Sequence, residues 1–279
     1  MQSKEERYTE LDWFLLSKLL RCPYCYGMYC RQLRKPNDVG PSANFGIAYH
    51  KMMEHYYKGQ PQSQAIEAGL ALLCAEEFDK GPHKRDKLVG LLEAYLLRTQ
   101  DFRAEHTVVA LESKYSAGNH YCAKLDMVTQ SKDGLFWIVD HKTSAKGLTA
   151  DGVDWYLTMD GQTSGWLCVG QYCWQEQFGG IIIQHMNITA KMLEPVVIPP
   201  SAERADGFLH MFANRITDAS ILVTPSAQEL DRWPTGCRKM YGQMCEFTEH
   251  CTHGGTEGLV EDLWLPGEGW VSERGNQDD

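Results

Sequence analysis

The chain has 279 residues, of which 43% are hydrophobic and 23% charged, with a formal net charge of −10. These are the proportions of a soluble globular protein, enough for one large domain with appendages, and they exclude a low-complexity or collagen-like chain. No stretch reaches the apolar length of a membrane span and the start MQSKEERYTE is charged, so a cytoplasmic, reducing setting without a membrane partner is expected.

The acidic balance argues at first sight against a nucleic-acid partner, but it is uneven. Residues 252–279 hold seven acids against Arg274 alone, while four bases and no acid lie between Arg21 and Lys35. Such basic patches can still meet phosphate.

Thr9–Leu20 has apolar residues at helical spacing, with Thr9 as the expected N-cap and Asp12 in the first turn. It ends at Arg21-Cys22-Pro23. The run Cys22-Pro23-Tyr24-Cys25 spells a redox-type pair, but that chemistry needs a preceding strand and a helix opening at the first cysteine. Here a helix precedes it, and thiol oxidoreduction fails on context. Further on, His50 and Glu54 stand four apart on one helix face, with Gly46 a turn earlier. Residues 62–104 read as helices separated by a basic Gly-Pro turn, walling a cleft. His106–Tyr115 alternates as a strand that includes Glu112.

The stretch Ala123–Lys142 carries the chemistry. Two apolar, β-branched runs flank Ser131-Lys132-Asp133-Gly134, which predicts a β-hairpin. With Lys132-Asp133-Gly134 as the loop and Gly134 left-handed, residue 131 pairs with 135 and Asp126 comes opposite Asp140. Alternation then puts Asp140 and Lys142 on one face and turns His141 away. Two carboxylates on an otherwise apolar patch are costly unless something positive joins them, and a divalent cation with oxygen ligands is the usual solution. A solvated ion pair is the plainer reading, but LFWIVDHKTS ends a buried strand abruptly in charge, where α/β enzymes place their sites.

After Lys142 a polar loop is expected to reach Asp160. Gln162 then opens a helix with Trp166, Tyr172 and Trp174, whose spacing suits a core better than a base-stacking platform. Residues 180–190 read as a strand and 202–219 as a helix. This order matches an α/β core with a mixed sheet and helices on its faces. Cys237, Cys245 and Cys251 lie within fifteen positions and suggest a metal site. With Cys22 they make four thiolates, enough for zinc or a [4Fe–4S] cluster.

Asp126 followed across a hairpin by Asp140-x-Lys142 resembles the PD-(D/E)XK nuclease superfamily, and most nearly its RecB-like exonucleases, including the CRISPR-associated and AddB-type members. Ala123 stands where those proteins usually carry glycine. The resemblance implies a restriction-endonuclease-like core with a central mixed sheet flanked by helices, plus a Cys-rich metal clasp joining the N- and C-terminal segments. It implies one nuclease domain over 1–279, with a core at about 44–220, the clasp from 17–30 and 233–252, and an acidic tail at 253–279. The pattern Gly46-x3-His50-x3-Glu54 is similar to a family motif whose histidine reaches the metal, and Gln162 to the start of Gln-x3-Tyr, with Trp166 replacing the tyrosine. Glu112 falls where members often carry a strand glutamate.

By the same resemblance, His50, Asp126, Asp140 and the main-chain carbonyl of His141 hold Mg²⁺ or Mn²⁺. Asp126, Asp140, Lys142 and Gln162 form the catalytic set, with Lys142 orienting or helping to deprotonate the attacking water. Cys22, Cys237, Cys245 and Cys251 match the four cluster cysteines, although C-x7-C-x5-C replaces the usual C-x2-C-x5-C, and zinc is the alternative. The implied activity is metal-dependent DNA exonucleolysis in recombination, repair or phage DNA processing. The substrate would be single-stranded or end-processed duplex DNA, in bacterial cytoplasm or that of a host if phage-encoded. No Gly-x4-Gly-Lys-(Ser/Thr) occurs, so a motor would be a separate helicase, or the partner a strand-annealing protein. The rivals are a structure-specific or nicking endonuclease of the same fold and a non-catalytic DNA-binding metal-cluster protein. Intact Asp126, Asp140 and Lys142 speak against the last.

Overall fold

The computed structural model describes residues 11–30, 33–34, 41–73, 85–118, 121–222, 245, 247, 260–261, 263–265 and 269–271. The elements begin with α1 (Trp13–Arg21), α2 (Pro23–Cys30), β1 (Leu33–Arg34), α3 (Pro41–Tyr57), α4 (Gln62–Leu70), α5 (Arg85–Arg98) and α6 (Gln100–Glu105). There follow β2 (His106–Ala117), β3 (Tyr121–Ser131), β4 (Phe136–Ser144), α7 (Ala150–Asp154), a π-helical turn (Trp155–Met159) and α8 (Gly161–Trp174). A 3-10 turn (Gln175–Gln177) leads to β5 (Phe178–Asn187), β6 (Met192–Ile198), α9 (Ala202–Leu222), β7 (Val260–Glu261), β8 (Leu263–Leu265) and β9 (Gly269–Val271). No described helix is long and apolar enough to cross a membrane.

Contacts divide the chain into two compact units. One is drawn from Val39–Ser113 and Lys124–Ala205, the other from Met1–Asp38, Lys114–Ala123 and Asp206–Asp279. A five-stranded sheet of order β2-β3-β4-β5-β6 organises the first. Its β4 and β5 are parallel while β3–β4 and β5–β6 are antiparallel, so the sheet is mixed, as expected. Every residue of β5 is buried, which is why FGGIIIQHMN reads as a continuous run without polar alternation. Helices α3, α4 and α5 close one core around Tyr49, Met52, Leu88, Leu91 and Tyr95, joined by Met186 and Ile188 at the end of β5. Helix α8 packs on β4 and β5 with Trp166, Leu167 and Val169 buried.

The hairpin takes the expected register. Ser131 N–H donates to the Leu135 carbonyl at 2.9 Å, Gly134 adopts φ +89°, and pairs run from Gln130↔Phe136 to Met127↔Val139. The next position sets Asp126 beside Asp140. One stretch departs from expectation. Residues 150–159 are helical turns rather than loop. Strand β6, over which the sequence reading carries no expectation, contains Pro195. The strand lies at the sheet edge, where a missing N–H is tolerated.

In the second unit α1 is capped by Asp12, whose carboxylate accepts from Leu15 N–H at 2.9 Å, rather than by Thr9, which lies outside the described residues. Cys22 caps its end and α2 starts at once with Pro23, a residue suited to a first helical turn. The Cys22–Cys25 pair therefore sits at a helix–helix junction, with no strand before it among the described residues. Leu11 bridges Tyr121, whose ring packs edge-on against Phe208 at 4.9 Å and Phe212 at 5.3 Å. Strand β1 pairs antiparallel with β7, and β8 with β9. Cys22 and Cys245 are buried, without a disulfide. Cys237 and Cys251 lie outside the described residues, so no four-cysteine clasp is shown among the described ones.

Gly180 marks where β5 enters the sheet. Its φ is +128°, and a Cβ added there would stand 2.4 Å from the Ile198 carbonyl oxygen of β6. Gly180→Ala combines backbone strain with a backbone clash, and should cost about 3 kcal/mol and lower the melting midpoint by roughly 5–10 °C. Circular dichroism melts would measure it, and an unchanged midpoint would show that the edge strand relaxes freely.

Candidate active site

Two strands and one helix converge on the two aspartates. Asp126 projects from β3, Asp140 and Lys142 from β4, and His50 from α3. Lys142 Nζ donates to Asp140 Oδ1 at 2.9 Å, which places both on one face as alternation requires. His141 turns the other way into a buried network. Its Nε2 lies 3.3 Å from the Tyr95 hydroxyl, which donates to Gln184 Oε1 and stands 2.6 Å from the Tyr57 hydroxyl. The His141 main-chain N–H nevertheless serves the site by donating to Asp126 Oδ2 at 3.0 Å. His50 Nδ1 reaches the same oxygen at 3.1 Å. Glu54, next on the His50 face, is engaged by Lys51 and Lys58 instead. Gly46 approaches Thr143, but an added Cβ would only touch its hydroxyl at 3.9 Å, so space alone does not demand glycine.

Helix α8 brings Gln162 and Trp166. Asp160 caps it by accepting from Thr163 N–H at 2.8 Å. Arg204 locks the approach, donating to the Ser164 hydroxyl at 2.8 Å and to the carbonyls of Tyr156, Leu157 and Asp160 at 3.1, 2.6 and 2.9 Å. So held, Gln162 Oε1 accepts from Lys142 Nζ at 3.4 Å, and that ammonium stands 5.4 Å over the Trp166 ring, a cation–π distance. Trp166 thus contributes to the site through its face.

Glu112 enters more prominently than its sequence position indicated. The ligand atoms of His50, Glu112 and Asp126 lie within 4.8 Å of one another, a spacing that suits one metal ion. Glu112 sits inside β2 yet has φ +46°, a left-handed conformation that costs a non-glycine residue on the order of 1–3 kcal/mol. Nothing in residue type announces such a kink, which re-aims a side chain out of strand alternation. Lys124 Nζ holds its carboxylate at 2.8 Å.

The charges are strongly coupled. Burial opposes ionisation of both aspartates. For Asp126 the charges of His50 and Lys142 win, and its carboxyl is held well below the usual range. For Asp140 burial wins, helped by the neighbouring Asp126, and its pKa rises to about 6 despite Lys142. Burial likewise works against the charge on His50, yet Asp126 outweighs it and lifts the pKa to about 9. Burial drives His141 down to about 4, so its ring is neutral near pH 7. Lys142 is held above its usual value, since the two carboxylates overcome its burial.

Asp140 supplies the test of whether a cation fits. Its Oδ1 is bonded to Lys142, but Oδ2 is buried with no hydrogen-bond partner. A buried carboxylate oxygen without a donor is costly, and a hard cation supplies what it lacks. The oxygen donors present, two aspartates, a glutamate and the His141 carbonyl, suit Mg²⁺ or Mn²⁺, and the His50 imidazole can join them once it gives up its proton.

A model of the PD-(D/E)XK nuclease superfamily matches residues 15–252. Among curated proteins none matches. The solved structure named "Crystal structure of SSO0001" aligns with 76% of this chain and 86% of its own at 17% identity, with a TM-score of 0.25.

Binding of an ion that relieves Asp140 should stabilise the fold. Mn²⁺ at about a hundred times its dissociation constant should add roughly 2.7 kcal/mol. The melting midpoint should rise with Mn²⁺ in the wild type and stay fixed in Asp126→Ala and Asp140→Asn. An equal rise in all three would place the ion elsewhere.

Proposed function

Because the chain belongs to the PD-(D/E)XK nuclease superfamily, whose members are metal-dependent nucleases, we propose that it is a RecB-like exonuclease that hydrolyses phosphodiester bonds from DNA ends. The observation that carries the reading is the unpartnered Oδ2 of buried Asp140 beside Asp126 and Lys142. The contact of His50 with Asp126 supports the RecB-like assignment, since it joins the helix histidine to the hairpin carboxylates.

In this reading His50, Glu112, Asp126, Asp140 and the main-chain carbonyl of His141 hold one or two Mg²⁺ or Mn²⁺ ions. Such an ion supplies Lewis-acid polarisation of the phosphoryl oxygen and charge stabilisation for the leaving oxygen. Lys142, steadied by Asp140 and Gln162, orients the attacking water and offsets charge on the scissile phosphate. Gln162 limits the swing of that ammonium, and the His141 N–H fixes the rotamer of Asp126. The chain acts on single-stranded or end-processed duplex DNA, beside a separate helicase or strand-annealing protein.

Digestion of end-labelled linear and covalently closed circular DNA with Mg²⁺, Mn²⁺ or EDTA tests the proposal. Linear DNA should be consumed only with a divalent ion and closed circles spared. Asp126→Ala and Lys142→Ala should each lower the rate by about 10²–10⁴, and Lys142→Ala, which leaves buried Asp140 without its cation, should also melt earlier without metal. Full activity in either variant would sink the site assignment, and efficient nicking of circles would make the enzyme an endonuclease.

We also propose that Cys22, Cys237, Cys245 and Cys251 bind one [4Fe–4S] cluster that clasps the two ends of the chain. A bond across so long a loop acts chiefly by restricting the unfolded chain, as a long-loop disulfide does. Anaerobically purified protein should be brown, with equal iron and sulfide. Cys245→Ser should lose the colour and melt earlier, while Asp126→Ala stays brown. Colourless protein with one zinc would establish a zinc site, and a Cys245→Ser protein as stable as the wild type would refute the clasp.

A further inference from the structure

Lys124 neutralises Glu112, and the sequence gives it no part in the chemistry. A cross-strand Glu–Lys pair is usually an ordinary, partly solvated contact of little consequence. Two features set this one apart. Glu112 reaches Lys124 from a left-handed kink inside β2, which a surface pair does not require. Its carboxylate also belongs to the group of ligand atoms with His50 and Asp126. Lys124 Nζ, 2.8 Å from Glu112 Oε2, therefore holds one of the carboxylates that a divalent ion would need.

The two lysines of the site differ in freedom. Lys142 is tied to Asp140 and Gln162 and rests over Trp166. The Lys124 side chain is 42% exposed, and its ion pair is with Glu112. Lys124 and Asp126 are two apart on β3, so both leave the strand on the same face, about 6.8 Å apart along it. A divalent ion at Glu112 and Asp126 would both compete with this ammonium for the carboxylate and repel it. The ammonium would then be free and cationic, one step from the reacting centre.

We propose that Lys124 is a displaceable counter-ion. It holds Glu112 until a divalent cation binds, and is then released to grip the DNA phosphate next to the one being cut. The proposal rests on the nuclease reading, and it makes metal binding and DNA binding cooperative in both directions.

Mn²⁺ titration by calorimetry without DNA, on wild type, Lys124→Met and Asp126→Ala, tests the first half. Lys124→Met should bind Mn²⁺ roughly 3–10-fold more tightly because the competing charge is gone, whereas Asp126→Ala should bind it more weakly. Fluorescence anisotropy with an end-labelled single-stranded oligonucleotide over a salt series, in Ca²⁺ or EDTA, tests the second. The slope of log Kd against log salt should fall by about 0.7 in Lys124→Met with Ca²⁺ only, and Lys124→Arg should restore it. Unchanged Mn²⁺ affinity in Lys124→Met, or a salt slope that is unchanged or falls equally in EDTA, overturns the proposal. A wild type that cleaves no DNA with any divalent ion would instead overturn the nuclease reading, with the Mn²⁺ titration still reporting on Lys124.

Discussion

Two carboxylates on neighbouring strands cannot be buried together unless positive charge is supplied, and this sets the terms for the rest of the site. Asp140 has almost no exposure, and Asp126 shares its patch. Lys142 serves one oxygen of Asp140, while His50 and the His141 N–H serve one oxygen of Asp126. What remains is an acceptor with no donor, Asp140 Oδ2. The helices around the hairpin can be understood through that need. Helix α3 delivers the His50 imidazole and α8 delivers Gln162 to steady the ammonium. Tyr95 of α5, with Gln184 of β5, pins the His141 ring whose main chain meets Asp126.

The hairpin was legible because its signals are local. A glycine-ended loop and strict alternation fix the register, and register fixes which side chains share a face. The fully buried β5 announced itself by composition. Other elements lacked such signals. Helix α2 (PYCYGMYC) has no polar face to give a period, and β6 contains a proline that argues against a strand until its edge position is known. The Asp12 cap was one turn from the expected Thr9, because both residue types accept from helix N–H groups and the sequence does not say which is placed to do so.

Within the site the same division holds. Asp126, Asp140 and Lys142 followed from register, and His50 from a helical spacing joined to a family likeness. Glu112 reads in the sequence as a strand residue, but its importance depends on a backbone angle that alternation cannot express. Arg204 gave no signal at all. Its role in tying the π-helical turn to the start of α8 depends on carbonyls that are left open only by an irregular turn.

The closeness of Lys142 to Asp140 along the chain has a consequence for the order of assembly. Asp126 and the His141 N–H are 15 residues apart, and hairpins close on the order of microseconds. His50 must travel in from beyond α4, α5 and α6, a longer search with a larger loop to close. A hairpin carrying two aspartates and no cation would resist closing against its own repulsion. Because Lys142 lies two positions after Asp140, the fast-forming hairpin carries a neutralising charge of its own, and the imidazole is needed only when the helical layer docks and water leaves. Placing the cation on the same strand as its carboxylate lets the most local piece of the fold form early without waiting for the most distant.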